Sequence, residues 1–208
     1  SYSRTFYSKR SVRVYLNYLS QLVFLKVNKN KKISTTKFIK FWTHGLPMEF
    51  ARSWKAMVLA LFVFMGSLSI GILSTANDID YARQIMGSSY IQRTNDNIAN
   101  GDPMAIYHQG SGPGWSTFRL TYNNTMVAAR TYTSGIFAGL PSIIIMVKNG
   151  IMLGTFHYYL YHKGVLEESM WIIWIHGVLE ISAIVIAGGA GLVLGGGLLF
   201  PGTYTRLQ

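Results

Sequence analysis

Cysteine is absent from this 208-residue sequence, and charged residues are scarce. Without cysteine, the chain cannot form disulfides, thiolate metal sites or cysteine nucleophiles. Charged side chains make up 13% of the residues, about half of the share that is typical of soluble domains. Hydrophobic residues make up 50%, so the composition does not fit a soluble globular protein.

The apolar residues are concentrated in three blocks, near 56–75, 126–147 and 170–200. The first block has 20 residues and no formal charge, which is enough to cross a hydrocarbon core of about 30 Å as a helix. The sequence therefore predicts an all-α, polytopic helical membrane protein with glycine-rich or broken transmembrane helices. Because the first block follows 55 residues of basic sequence, too many for a signal peptide, we expect it to be retained as a span.

The positive charge is concentrated in residues 1–55. This segment holds 12 Lys and Arg residues against one acid, Glu49, which gives +11, whereas residues 56–208 hold seven of each sign. Basic segments that flank a span are retained on the cytoplasmic side. We therefore expect a cytoplasmic N-terminus, with residues 1–55 against anionic lipid headgroups. Nucleic acid is a weaker explanation of this charge, and we expect no nucleic-acid partner.

The basic segment also carries the pattern of amphipathic helices. Apolar side chains recur at helical spacing over 10–27. A polar break at 28–32 separates them from a second helical stretch, which Ser34 to Thr36 would cap. In 37–55 aromatic and cationic side chains are mixed, which suits the headgroup boundary of a membrane. We expect an interfacial elbow there, and a helix pair that binds a partner is the alternative.

Polar residues interrupt the chain between the apolar blocks. Residues 76–125 form the only long polar stretch after the first block, and we expect an outer loop there. In the second block, Arg130 would anchor the outer end by snorkelling, and Lys148 would mark the inner end. The next stretch, 150–164, is too short to cross alone. We expect it to be a re-entrant or interfacial helix, or a short partner to the preceding half-helix.

Glycine is frequent in the predicted spans, and Pro141 would kink the second span or start its next half. Small residues four apart let helices approach closely in lipid. The third block has 31 residues and would be about 46 Å long as one straight helix, so its glycines indicate a helix that breaks, bends or packs very tightly. We expect seven glycines to lie at helix contacts, namely Gly135, Gly139, Gly150, Gly154, Gly188, Gly191 and Gly195.

One histidine and one carboxylate, His176 and Glu180, lie four residues apart in the third block. On a helix this spacing places them on one face, and ionisable residues inside a membrane are costly and mark candidate functional sites. We expect a polar pair that ties helices together, with Asn149, Arg130 or His157 as a further partner. The alternatives are a polar site in a transport or gating path and a metal site.

A metal site would need more ligands than this pair supplies. A metalloprotease motif of this type has two histidines around its glutamate, whereas the "HGVLE" run at 176–180 has one. His157 or His162 would have to complete the site. The sequence also has no GxSxG elbow and no Walker lysine. We therefore expect a protein with no enzymatic activity, no metal and no cofactor.

Several of these residues together resemble the signature of a known family. The matching elements are Asn123 and Asn124, Gly135, Asn149 with Gly150 and Gly154, His176 with Gly177 and Glu180, the run from Ala187 to Gly191, and Pro201. This pattern, over about residues 120–206, resembles the stage II sporulation protein M family of bacterial integral membrane proteins.

The resemblance implies a non-enzymatic membrane component. In sporulating bacteria the family member helps to assemble a peptidoglycan-degrading machine at the septal membrane, and hydrolytic partners supply the chemistry. Most members occur in organisms that do not sporulate, so the resemblance does not imply a role in sporulation. Family members usually continue past the point that matches Gln208 with further hydrophobic helices.

The expected function is accordingly that of a scaffold or subunit of an envelope-associated complex in the bacterial inner membrane. The expected partners are the lipid bilayer and other membrane proteins, a second copy of the chain among them. A transporter or permease-like subunit is the alternative because broken helices and a polar pair at mid-membrane depth are features of transporters. A membrane metalloenzyme is the third hypothesis.

Overall fold

The computed structural model describes residues 10–27, 35–103, 105 and 113–200, and every regular element in these ranges is helical. Three helices are long and apolar enough to cross a membrane: α4, α8 and the Gly177–Leu199 part of α9. The predicted all-α polytopic fold class is confirmed. The α-helices are α1 (Arg10–Val27), α2 (Thr35–Lys40), α3 (Leu46–Arg52), α4 (Trp54–Asn77), α5 (Tyr81–Met86), α6 (Ser88–Ala99), α7 (Pro113–Thr133), α8 (Leu140–His162) and α9 (Leu166–Leu199).

The chain divides into two compact units, Ser1–Glu49 and Phe50–Gln208. This division lies six residues before the boundary that the sequence predicts after residue 55. The predicted polar break at 28–32 and the start of the cap at Ser34 lie outside the described residues. The contact of the first unit with anionic lipid headgroups stays a prediction.

The predicted elbow is helical through most of its length. A π-helical turn, Phe41–Gly45, joins α2 to α3, and the Leu46 N–H bonds to the Phe41 carbonyl. Pro47 follows directly and has no N–H to continue the α-helical pattern. The Phe41 and Trp42 rings meet edge to face, and both are more than half exposed. Exposed aromatic rings of this kind agree with the headgroup location that the sequence predicts.

In the second unit, α4 and α8 run parallel and pack closely along their length. Gly150 and Gly154 lie directly against the α4 backbone, and a Cβ at either position would collide with main-chain atoms of α4. Gly71 of α4 makes the same approach to α8, and the Thr155 hydroxyl donates to its carbonyl at 3.5 Å. We call the contact made by Gly71, Gly150 and Gly154 the α4–α8 seam. The end of the bundle where α4 begins is the near end, and the opposite end is the far end.

Because α4 and α8 both run from the near end to the far end, the chain must return between them, and α7 makes this return. The Ser142 hydroxyl at the start of α8 donates to the Thr131 carbonyl near the end of α7 at 2.6 Å. Between these residues the chain turns at Gly139, whose φ is 76°, and Pro141 lies in the first turn of α8. The prediction of one span over 126–147 is therefore wrong. The alternative in which Pro141 starts a new helix is confirmed.

The short interfacial helix predicted over 150–164 is also wrong, because α8 continues without a break to His162. The predicted inner end of the preceding span is Lys148, which lies beside Asn149 in the first half of α8. The Asn149 amide donates to the Ile145 carbonyl at 2.8 Å, and Lys148 lies exposed on the helix surface. Neither residue therefore interrupts the helix, because each satisfies its polar group without disturbing the backbone.

The predicted outer loop, 76–125, is largely helical. Its first part forms α5 and α6, and 113–125 belong to α7. Arg130 lies in the last turn of α7, at the near end of the bundle, and not at the predicted outer end. Sequence reasoning did not recognise α7 as a helix of the bundle, because α7 mixes apolar and polar residues too evenly to form an apolar block.

Three apolar clusters hold the second unit together, one of them built on Phe156 and Leu160 of α8. Ala60, Phe64, Met146 and Ile184 form a core between α4, α8 and α9. At the far end, Tyr159 packs with buried residues of α5 and α6, and its hydroxyl donates to Asn95 Oδ1 at 2.7 Å. The far-end helices are thus attached to the end of α8.

The last helix, α9, has 34 residues, is about 51 Å long and runs from the far end back to the near end. It does not break at its glycines, and of the three predicted alternatives tight packing applies. Gly188 lies over Met146, and Gly189 over Met57 at the start of α4. Where the helix meets the turn between α7 and α8, four glycines form a cluster that we call the near-end glycine cluster, namely Gly135, Gly139, Gly191 and Gly195. Pro201 lies outside the described residues.

Candidate functional site

A cavity of about 370 Å³ lies between α4, α7, α8, α9 and the far-end helices. Its wall is mostly apolar, but three asparagines and one carboxylate from three different helices line it, and Tyr90 of α6 is also part of the wall. The polar residues are Asn123 and Asn124 of α7, Asn149 of α8 and Glu180 of α9. The apolar lining includes Phe64, Met86, Met152, Phe156, Ile181 and Ile184.

Helical geometry explains how α8 supplies both the cavity and the α4–α8 seam. Asn149, Met152 and Phe156 recur three and four residues apart and line the cavity. Gly150 and Gly154 lie on the neighbouring face of the same helix, against α4. The glycines hold α8 close to α4, while the face of α8 that carries Asn149 lines the cavity towards α7 and α9.

Glu180 is the only charged residue among the described residues that line the cavity. Its side chain is half-buried, and within the described part of the chain its carboxylate has no hydrogen bond or ion pair. The carboxylate oxygens are not fully buried, so a ligand in the cavity can reach them. Gly177, one turn earlier, also lines the cavity and leaves space where another residue would place a side chain.

The asparagine amides bring further hydrogen-bonding groups to the cavity. The Asn149 amide nitrogen donates one of its two N–H groups to the Ile145 carbonyl, which leaves its amide oxygen and its second N–H for other partners. The side-chain amides of Asn123 and Asn124 have no hydrogen bond to the side chains and backbone that the structure describes. The cavity therefore combines one carboxylate with several amide oxygens and has no cationic side chain among its described lining residues.

The structure brings together only some of the residues that the sequence singles out. Asn149 and Glu180 line the same cavity, as the predicted partnership requires. The His176 side chain is outside the described part of the structure, so the pair of His176 with Glu180 stays a prediction. Arg130 is exposed at the near end and does not line the cavity.

His157 occupies a different place from the cavity. Its Nδ1 lies 2.8 Å from the Leu153 carbonyl, so this nitrogen donates. The ring meets Trp174 edge to face, with 5.7 Å between the ring centroids. Its Nε2 is buried without a hydrogen-bond partner among the described residues. His162 is exposed at the end of α8, and no three potential metal ligands lie together in the described ranges.

The model of one protein family, Stage II sporulation protein M, matches residues 57–208. The chain belongs to this family. No curated protein and no solved structure matches it. The predicted resemblance is thus confirmed, and the matched part of this stage II sporulation protein M family member contains all of the helices that build the cavity.

Sequence reasoning placed Asn123 and Asn124 in an outer loop, although the family resemblance had singled them out. A periodic signal was present, because Leu120, Asn124, Val127 and Thr131 follow helical spacing and these four residues face the bundle. The signal was missed because asparagine and threonine do not count as apolar. In this family member, the inner face of α7 is therefore partly polar, and its asparagines line the cavity.

Proposed function

We propose that this protein is a non-enzymatic scaffold or subunit of an envelope-associated complex in the bacterial inner membrane, with its N-terminus in the cytoplasm. Membership of the stage II sporulation protein M family supports a membrane protein. The observation that carries the proposal further is the surface of α7, which suits contact with another protein better than contact with lipid.

The path of the chain supports a position for α7 inside the membrane. Because α4 and α8 are parallel and both have the length and composition of spans, the chain between them crosses back through the same thickness. With 21 residues, α7 is about 31 Å long, which matches a hydrocarbon core of about 30 Å. Yet α7 is not apolar enough to count among the three candidate spans.

The exposed face of α7 has the composition of a protein interface. Trp115, Phe118 and Tyr122 stack along it, with ring centroids 5.7 and 6.3 Å apart, and each is more than half exposed. Arg119 and Arg130 lie exposed beside this row. Aromatic and arginine side chains dominate binding energy at protein interfaces, whereas exposed polar groups are costly in lipid. A second membrane protein against this face would satisfy both kinds of side chain.

Photo-crosslinking in native membranes tests this proposal. A photoreactive phenylalanine analogue in place of Tyr122 should give a discrete protein adduct, and the additional change Trp115→Ala should remove it. The matched control is the same analogue at Phe62 of α4, which is 71% exposed and should contact lipid. An adduct of twice the chain mass would identify the partner as a second copy. If position 122 gives only the lipid adducts that position 62 gives, the proposal is wrong.

A transporter subunit is the second candidate, and the polar cavity is the observation that favours it. The described lining residues, however, come from the middle of the bundle or its far end. Among them, α4 contributes Phe64, and the residue of α9 closest to the near end is Ile184. Towards the near end, the described helices meet at the near-end glycine cluster. A transporter would have to open this cluster. Ser142 is fully buried against Gly191, so labelling of the thiol in Ser142→Cys from the near end would support transport, and protection of that thiol would support the subunit.

A further inference from the structure

We infer that the cavity is a binding site for a primary ammonium group carried on an apolar body. This inference concerns the interior of the bundle and does not depend on the partner proposed for the outer face of α7. It rests on three properties of the cavity: its charge, its hydrogen-bonding groups, and its size and apolar wall.

The charge of the cavity selects a cation. Glu180 is half-buried, has no hydrogen bond or ion pair with any side chain that the structure describes, and is the only charged side chain on the described wall. An anionic ligand would be repelled, and a neutral ligand would leave the carboxylate without a counter-charge in apolar surroundings. A cation offsets this cost directly, and a hydrogen bond between two charged groups is stronger than one between neutral groups.

The hydrogen-bonding groups select a cation that has N–H donors. Glu180 offers only acceptors when it is ionised. Asn149 adds an amide oxygen, and one N–H of the same amide donates to the Ile145 carbonyl. The amides of Asn123 and Asn124 bring further oxygens to the same cavity. A primary ammonium has three N–H donors and can bond to several of these oxygens at once. A quaternary ammonium has none.

The size and the wall select an organic ligand over a bare metal ion. A volume of about 370 Å³ lies in the range of small-molecule sites, whereas a metal ion needs oxygen ligands within about 2.0–2.6 Å on several sides. Met152, Phe156, Ile181 and Ile184 line the remainder of the cavity. These residues match an alkyl chain that is attached to the ammonium group.

Two sources can present this chemistry at the far end of the bundle. One is the headgroup of an aminophospholipid such as phosphatidylethanolamine, which joins a primary ammonium to apolar chains in the same molecule. The other is a free alkylamine from the aqueous phase. Both place the same group against Glu180, and they differ in whether the ligand remains with the protein in a bilayer of defined composition.

The first experiment measures binding of n-hexylammonium to the purified full chain in a neutral detergent. Ligand binding to the folded state raises the unfolding temperature with ligand concentration, and we expect a saturable rise. The matched probes are 1-hexanol, which lacks the charge, and hexyltrimethylammonium, which lacks the N–H donors. An equal response to either matched probe would overturn the inference.

Variants then locate the site. Glu180→Gln should weaken hexylammonium binding at least tenfold because the charge is lost, and Glu168→Gln, an exposed position at the start of the same helix, should leave it unchanged. Gly177→Leu tests the cavity with Glu180 in place. A Cβ at Gly177 meets only ordinary contacts of 3.8 and 4.0 Å, so this variant should fold and lose binding by filling the space. Unchanged binding in Gly177→Leu would overturn the inference even if Glu180→Gln fails to fold.

Nanodiscs distinguish the two sources. The chain is reconstituted in nanodiscs of phosphatidylethanolamine or of phosphatidylcholine. Native mass spectrometry then records which lipid stays bound to the protein after the protein is released from the nanodisc. Retained phosphatidylethanolamine that Glu180→Gln loses would identify a lipid ligand. Hexylammonium binding without retained phosphatidylethanolamine would identify a soluble amine. Equal retention of both lipids, together with no response to hexylammonium, would exclude an ammonium site.

Discussion

The two faces of α8 differ in how closely they pack against neighbouring helices. Towards α4, the α4–α8 seam removes side chains so completely that backbones touch at Gly150 and Gly154. Towards α7 and α9, the same helix leaves a cavity of about 370 Å³ and directs Asn149 into it. Close packing is the ordinary state of a protein interior, so the seam needs only a structural explanation. The cavity is costly to keep open, and its cost indicates a use.

Because of this difference in packing, residues at the seam and residues that line the cavity tolerate different substitutions. At the seam, any added atom meets backbone, which cannot rotate away. In the cavity, added atoms meet space, and a change of charge matters more than a change of volume. The same substitution of glycine by leucine should therefore have opposite consequences at Gly154 and at Gly177.

The largest effect is expected at the seam. Gly154→Leu places a side chain into the main-chain atoms of Leu68 and Ile72, and overpacking against backbone should cost about 3 kcal/mol or more. Unfolding in mixed micelles by sodium dodecyl sulfate would measure this loss. Gly66→Leu is the control, because a Cβ at Gly66 meets nothing within 4 Å. Equal stabilities of the two variants would show that the seam does not hold α4 against α8.

A smaller effect of opposite sign is expected in the cavity. In the absence of a ligand, Glu180→Gln should stabilise the bundle by about 1 kcal/mol, because it removes a half-buried carboxylate that has no partner among the described side chains. The same unfolding assay measures this gain, with Glu168→Gln as the exposed control, which should change stability by about 0.5 kcal/mol or less. A loss of stability in Glu180→Gln would instead favour the predicted structural pair with His176.

The smallest effect is expected at the turn that joins α7 to α8. Ser142→Ala removes the buried hydroxyl that donates to the Thr131 carbonyl. It should cost about 0.5 kcal/mol, because the Ser134 hydroxyl still donates to the same carbonyl at 3.1 Å. Ser182→Ala is the matched control, since the Ser182 hydroxyl is exposed and bonds only within its own helix, to the Val178 carbonyl. If both variants have the same stability, the Ser142 hydroxyl does not hold the turn.

Sequence reasoning recovered the parts of this fold that depend on local composition. The span at α4 follows from an uncharged apolar run, and Pro141 marked the break in the second block. Glycine pairs four apart pointed to close contacts that Gly150 and Gly154 indeed make. What local composition could not supply was α7, whose polarity hid it, and with it the direction of α8.

The cavity was unpredictable for the same physical reason. Its polar residues lie on three helices, and Asn123 and Glu180 are brought together only by the return path of α7. The predicted partner Asn149 lines the cavity with Glu180, whereas Arg130 lies at the other end of α7. An intramembrane carboxylate was recognisable from the sequence as a costly residue, but its surroundings depended on the order in which the helices cross.

The polarity of α7 also has a consequence for how the protein enters the membrane. A helix that combines Arg119, Arg130 and several threonines partitions poorly into a bilayer by itself. The turn at 134–139 joins it directly to the apolar helix α8, and Ser142 bonds the two together. We therefore expect α7 and α8 to leave the translocation channel as one helical hairpin, with the apolar member carrying the polar one into the lipid.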